Sequence, residues 1–377
     1  MRRSPDQVQL VVGGAAYHDW CEADVDSDIF TPADAWHVRA KNPGMDLVSA
    51  FREGMNADIY IGEDRVMAGV IDDVSIQGSR AAEMMSLSGR DKGAWLVDSE
   101  AAAIRAAAYT LKTLAEKLLR PSFGIRAVVD DNDANRKLLL GKKDRATSAG
   151  RARRPPGLPP VSPRAIKVDP GQRIAQVLDQ HTRRLGVTWW ITAEGDLFLG
   201  RPTYDQEPAY RFFSFPLGDA RRRQNNLLDW SVSRSLSDRY SEIVVAGQGA
   251  SGRSSIFGAS SATGGSFRAS TVDDDLVRRG IERKLILTDG DVQTRAEAAR
   301  RAELEMGRRK MLGVSIRVTV PGFRQDGRLY ATDTIAEMRI PQAGIDGYYY
   351  VASRRFTVSR AAARTQLGLH PRGLWLT

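Results

Sequence analysis

The apolar pattern of this chain changes period twice, and that change restricts its architecture more than any single motif. From the N-terminus to about Gly89, the stretches VQLVV, DIYIG, RVMAGVIDDVSIQG and MMSLSG set apolar residues in strand-like patterns between turn residues, which argues for an antiparallel barrel or sandwich. After SLSGRDKGAWLVDSEA the period becomes helical. In AYTLKTLAEKLLRPSFGIRAVVD, Leu111, Leu114, Ala115 and Leu118 share one helix face, and Pro121 stops the helix before the strand GIRAVV. The same grammar returns in DPGQRIAQVLDQHTRRLGVTWWITAEGDLFLGRP, where Ile174, Val177 and Leu178 lie on one face and strands VTWWIT and DLFLG flank the turn AEGD. Strand patterns then resume in LLDWSVSRSLSDRYSEIVVAGQG, GVSIRVTVPG, DTIAEMRI, YYYVASRRFTVSR and RTQLGLHP. The expected fold class is α+β and β-rich. It comprises a first β-barrel-like domain over 1–103, small α/β units over 104–203, and a second barrel-like domain over 204–377 with a helix at 291–310.

Charge is concentrated in one place. Between Arg136 and Lys167 there are ten Lys/Arg and one acid, Asp144, so this segment carries the whole formal net charge of +9 and the rest of the chain balances. The segment is rich in Pro, Gly and Ala, and 136–167 reads as a mobile basic loop. The Ser/Gly-rich interval at 249–270 reads as a second flexible loop. No run of about 18 apolar residues is present to span a bilayer. The N-terminus alternates rather than showing the apolar core of a secretory signal, so the chain is expected to stay where it is made, without membrane anchoring. A single cysteine, Cys21, rules out an intrachain disulfide and any multi-thiolate metal site, and it is expected as a small buried hydrophobe in a reducing compartment.

Candidate chemistry is sparse. Gly247, Gly249 and Gly252 form a G-x-G-x-x-G after a strand, but RSSIFGASSATGGSF lacks the helix whose N-terminus would receive a pyrophosphate. The histidines His18, His37, His181 and His370 have no ligand spacing, and His181 is expected on the solvated side of its helix. Asp72–Asp73, Asp130–Asp131 and Asp273 to Asp275 could supply a glycosidase pair, although acids in such sequence usually serve as solvated turn residues. No catalytic residue, cofactor or metal is expected. Trp189 and Trp190 are neighbours and cannot share a strand face, so one is expected in a core and the other at a partner or domain seam.

The densest stretch, SLSGRDKGAWLVD, is expected to form a structural corner. In that reading Gly89 allows a bend, Asp91 caps a short helix through Trp95 and Leu96, and Arg90 reaches across to a carboxylate or to carbonyls. VMAGVIDDVSIQGSRAAEMMSLSGRDKGAWLVDSEA also resembles the strand–turn–strand–GRDK-x-x-x-L-[IV]-D segment of the baseplate hub proteins of Mu-like contractile-tail phages, the tail protein P family. The resemblance continues in order through TLKTLAEKLLRPSFGIRAVV, QVLDQHTRRLGVTWWITAEGDLFLGRP, LLDWSVSRSLSDRYSEIVVAGQG and RAEAARRAELEMGRRKMLGVSIRVTVPGFRQDGRLYATDT. The basic loop is longer than the family norm, and the first forty residues match weakly.

The resemblance implies a homotrimer whose two barrel-like domains per chain build a ring between the tail tube and the membrane-piercing spike. Implied partners are the spike, tube or tube-initiator proteins and baseplate wedge proteins, with DNA only in passage through the channel. The implied location is the virion tail baseplate, assembled in the bacterial cytoplasm. Two other functions compete: a peptidoglycan-binding or peptidoglycan-cleaving tail component, and a DNA-binding protein acting through the basic loop. The second lacks a helix-turn-helix and aromatics interleaved among the basic residues.

Overall fold

The computed structural model describes residues 6–129, 164–248, 266–290, 292, 294–359 and 362–372. The chain divides into two compact units. Unit 1 is Met1–Thr203 with Thr319–Asp333 and Ala352–Leu367, and unit 2 is Tyr204–Val318 with Thr334–Val351 and Gly368–Thr377. The sequence division assigned 319–333 and 352–367 to the second domain. Both segments fall in unit 1; within the second, residues 353–358 pair with β3.

Unit 1 opens with strands β1 (Val8–Val12), β2 (Ala15–Tyr17), β3 (Glu22–Asp28) and β4 (Ala35–Lys41), a short helix α1 (Met45–Ser49), then β5 (Asn56–Ile61), β6 (Asp64–Gly78) and β7 (Glu83–Asp91). All pair antiparallel, in the order β3-β4-β7-β6-β5-β1-β2, and residues 353–358 extend the sheet beside β3. Side chains alternate across the pleat, so β7 buries Met85, Leu87, Gly89 and Asp91 while Ser86, Ser88 and Arg90 face outward. β3 and β4 were not among the expected strands. EADVDSD buries Ala23, Val25 and Ser27 on one face and presents its acids on the other, so only two apolar residues mark it. Cys21 is half-buried rather than buried, and its thiol donates to the Arg39 carbonyl at 3.2 Å.

The α/β part follows β7. Helix α2 (Gly93–Asp98) leads to β8 (Ile104–Tyr109), α3 (Leu111–Leu118), β9 (Ala127–Val129), β10 (Arg164–Val168), α4 (Ile174–Leu185), β11 (Thr188–Ile191) and β12 (Leu197–Gly200). Thr110 caps α3 by accepting the Thr113 N–H at 3.2 Å. Gly186 ends α4 in the left-handed conformation at φ +67, as a C-terminal glycine commonly does. β12 pairs antiparallel with β11 and parallel with β9. The two helix–strand units therefore share one core, in which Leu111, Leu114 and Leu118 pack with Ile174, Val177, Leu178, Trp189 and Leu199. Each such aliphatic side chain contributes roughly 1.5–3 kcal/mol on burial. Two expectations are corrected here. His181 is buried at 9% exposure, because its position on α4 turns it toward protein. Residues 164–167 lie in β10, so the basic loop drawn over 136–167 ends earlier; its remainder lies outside the described residues.

Unit 2 contains β13 (Tyr210–Phe213), β14 (Asp229–Arg234), β15 (Glu242–Gln248), β16 (Ser266–Val272), a short helix α5 (Asp274–Arg278), β17 (Lys284–Asp289), helix α6 (Arg295–Leu312) and most of β18 (Val314–Pro321). The hairpin β19 (Arg324–Gln325) and β20 (Arg328–Leu329) belongs to unit 1. Three last strands follow: β21 (Thr334–Ile340), β22 (Ile345–Val358) and β23 (Ala363–Pro371). β21 pairs with β13 in parallel and with residues 345–351 of β22 antiparallel. β15 is the centre of a three-stranded sheet between β16 and β17, and Ala298 and Ala302 of α6 pack on Val245 and Val292. Thr294 caps α6 by accepting the Glu297 N–H, so the helix begins at Arg295 rather than 291. Residues 266–270 are in β16, so the loop expected over 249–270 is shorter than drawn; 249–265 lie outside the described residues.

Candidate functional site at the β7–α2 junction

The junction is built by the pleat of β7. Because Arg90 faces outward and Asp91 inward, adjacent residues serve opposite sides of the sheet. Arg90 Nε and Nη2 donate to Asp72 Oδ2 and Oδ1 at 2.7 and 3.1 Å. Nη2 and Nη1 also donate to Asp98 Oδ2 and Oδ1 at 2.7 and 3.3 Å. Asp72 is the extra residue of a β-bulge, since Ile71 pairs with Gly89 and Asp73 with Ser88; the bulge lets its carboxylate meet the guanidinium. Arg90 thus ties the bulge of β6 to the end of α2, and its hydrogen bonds to Asp98 hold that carboxyl below the ordinary range. Arg173, just before α4, donates to the Val97 carbonyl at 2.7 Å and brings the second helix to the same corner.

On the inner side, Asp91 is 4% exposed and its Oδ1 accepts the Gly93 N–H at 2.7 Å. The N-cap position of α2 is Lys92, without a side-chain cap, so Asp91 lies one residue before it and holds the N–H of the first helical residue. Asp34 Oδ1 accepts the Asp28 N–H at 2.8 Å, and the Asp91 N–H donates to the Asp34 carbonyl at 2.9 Å. Burial raises the Asp91 carboxyl to about 7. Burial, and then the nearby Asp91 charge, raise Asp34 well above its usual value. Both acids line a cavity of about 200 Å3 with Asp28, Trp190, Asp333 and Arg354.

Gly89 does not supply a bend. It lies within a paired strand, and a Cβ there would meet the Val70 carbonyl oxygen at 2.0 Å and the Trp36 ring at 2.7 Å. Its role is to let the indole lie against the backbone. Lys92 donates to the Gly124 carbonyl at 2.8 Å, and its methylenes pass beside Gly195 in the β11–β12 turn. Trp95 is half-buried and stacks parallel to Phe123 with ring centroids 6.2 Å apart. Trp189 is buried, with Nε1 donating to Asp179 Oδ1 at 2.9 Å. Trp190 turns to the other face, against Phe198 at 4.4 Å.

Gly89, Arg90, Asp91 and Trp95 thus converge on one junction, whereas Trp189 belongs to the core of the α/β part. Asp273 is an N-cap rather than a free acid, buried and paired with Arg239 at 2.6 Å. Asp130 and Asp131 lie outside the described residues. Among the described residues no group of three or more His, Cys, Asp or Glu could hold a metal ion, and no helix is long and apolar enough to cross a membrane. Of the participants given no role in the sequence reading, Asp98 closes the GRDK-x-x-x-L-[IV]-D segment, whereas Asp34 and Arg173 have no local signature and are recruited by folding.

This geometry predicts that Arg90→Ala lowers stability by about 1–2 kcal/mol. The arginine is 32% exposed, which places the loss between that of a surface pair and that of a deeply buried one. Urea midpoints of purified wild type and variant measure it. An unchanged midpoint accompanied by lost tail function would show that Arg90 acts on a partner or substrate instead.

The fold is that of phage tail proteins. A tail protein from Neisseria meningitidis matches with a TM-score of 0.77 at 22% identity, covering 98% of this chain and 97% of that one. A prophage tail protein from Shewanella oneidensis matches with a TM-score of 0.77 at 21% identity, covering 98% and 99%. A component of the Escherichia coli type VI secretion system, described as structurally similar to T4 bacteriophage tail proteins gp27 and gp5, matches with a TM-score of 0.54 at 9% identity, covering 96% and 76%. Residues 7–91 match the model of the Mu phage baseplate assembly protein GpP-like, N-terminal, the family that the sequence resembles. That match includes residues 7–40, within the stretch where the sequence resemblance is weak. No curated protein matches the chain.

Proposed function

We propose that this protein is a structural component of a phage-type baseplate and, within it, the hub: a homotrimeric ring that joins the tail tube to the spike, with wedge proteins at its periphery. The observation that carries this reading is the end-to-end correspondence with a tail protein, 98% of one chain on 97% of the other. The corner chemistry supports the same view. The Asp72 carboxylate, which a glycan-cleaving enzyme would keep for substrate, is committed to Arg90, and Asp91 to the first turn of α2. Exposed apolar side chains such as Leu217 at 83% and Ile286 at 65% fit a chain whose surface is completed by assembly.

Native mass measurement of the purified full-length protein tests the reading. A trimer is expected. A monomer at micromolar concentration that clears cell-wall suspensions would replace the hub with a peptidoglycan-cleaving component.

A further inference from the structure

We propose that the concave outer face of the unit 1 sheet is a docking groove for the β13–β14 loop of a second copy of this chain, so that copies associate head to tail. The proposal rests on the ring reading above and names the surfaces that would meet.

The groove encloses about 500 Å3 and carries Asp24, Asp26, Asp72, Asp73, Arg90 and Arg355. Its concavity comes from small residues at the centre of the sheet, Ala35 on β4 and Ser88 and Gly89 on β7, with longer side chains on both flanks. Two of the four acids are matched within the fold: Asp72 by Arg90 at 2.7 Å, and Asp24 by Arg355 at 2.6 Å. Asp73 is exposed and takes only the Ser88 hydroxyl, at 3.5 Å. Asp26 accepts a single neighbouring N–H, from Ser27 at 3.0 Å. The groove is left with two acids in surplus.

The loop has the opposite surplus and is held rigid. Asn225 Oδ1 accepts the Phe215 N–H at 2.7 Å while its Nδ2 donates to the Phe215 carbonyl at 3.1 Å. Asn226 does the same for the Phe213 N–H at 2.9 Å and the Arg211 carbonyl at 2.7 Å. Asp219 accepts the Arg221 N–H and pairs with its guanidinium, both at 2.8 Å, and Arg221 lies over the Phe215 ring at 4.4 Å. Arg221 is thereby used within the loop. Arg222 and Arg223 are exposed and make no ion pair among the described residues. Leu217 belongs to the same loop, and at 83% exposure it is solvated almost as in an unfolded chain. A preformed loop that offers two unmatched arginines and an exposed leucine loses little entropy on docking. It complements a groove whose four acids outnumber its two arginines. Because groove and loop are different patches, the contact is heterologous and builds a closed ring when its rotation closes.

Charge exchange in the full-length protein tests this by native mass spectrometry and sedimentation at low salt. Arg222→Asp/Arg223→Asp reverses the loop, and Asp26→Asn/Asp73→Arg reverses the groove. Each pair is expected to weaken assembly at least about tenfold, and added salt should weaken the wild type in the same direction. The four-site variant, which exchanges the signs, should recover most of the wild-type assembly; that recovery separates a lost contact from a misfolded chain. The proposal is overturned if either two-site variant assembles like wild type, or if the four-site variant stays as weak as the two-site ones. A wild type that is monomeric throughout overturns the ring and this docking together, whereas a normal oligomer indifferent to charge reversal overturns the docking alone.

Discussion

Gly89→Ala is expected to destabilise the protein by about 3 kcal/mol or more, the upper end of what overpacking costs in a core. The added methyl would stand 2.0 Å from the Val70 carbonyl oxygen and 2.7 to 2.8 Å from two carbons of the Trp36 ring. Neither neighbour can give way cheaply. The carbonyl belongs to the adjacent paired strand β6, and Trp36 is 2% exposed with its indole fixed in the core. Gly69, on the facing strand, is closed in the same way by the Arg90 carbonyl oxygen at 2.4 Å, so the strands cannot part without dislodging the corner. Urea titration with tryptophan fluorescence should show an earlier midpoint and an altered native signal. A midpoint within experimental scatter of wild type would mean that Trp36 repacks freely and that Gly89 has no steric role.

That glycine illustrates how far the sequence could be read. Its importance was visible, since GRDK follows a strand and precedes a helix, but the reason was not. A bend is the local explanation of a glycine, whereas the actual cause is an indole from β4, a strand whose apolar Trp36, Val38 and Ala40 alternate with His37, Arg39 and Lys41. In the same way, the inward position of Asp91 follows from continuing the alternation that buries Met85 and Leu87. Its partner Asp34 sits in the turn before β4, with nothing in the local sequence to connect the two. The helices were legible because Leu111, Leu114, Ala115 and Leu118, and Ile174, Val177 and Leu178, repeat at helical spacing and are all buried. His181 was misplaced by the same reasoning: its polar neighbours Arg183 and Arg184 suggested solvent, and only the packing of α4 decides otherwise. Local periodicity therefore specified elements and faces. The long-range pairings, including the return of 319–333 and 352–367 to unit 1, needed the folded chain.

The carboxyls at the junction make stability depend on pH in a direction opposite to that of most proteins' acids. An unfolded aspartate loses its proton near 3.9, but Asp91 in the fold keeps its proton up to about 7 because burial disfavours the charge. Asp34 is raised well above the usual value by burial and by Asp91, and Asp26 and Asp28 are raised chiefly by burial. Between about pH 4 and 7 the native state therefore binds more protons than the unfolded one, and linkage makes unfolding easier as pH rises. The contribution is complete below about pH 4 and is lost on passing 7. His370 acts in the other sense: burial lowers it, so the native state gains stability as pH rises through the histidine range. Carboxylates held low, such as Asp98, matter only in more acid solution. The informative comparison is thus between wild type and Asp91→Asn, which keeps an oxygen to accept the Gly93 N–H but cannot ionise. Wild type should lose on the order of 2–4 kcal/mol more than Asp91→Asn between pH 5 and pH 8. Urea titrations of both at the two pH values measure this, and parallel pH profiles would show that Asp91 ionises as freely in the fold as in the unfolded chain.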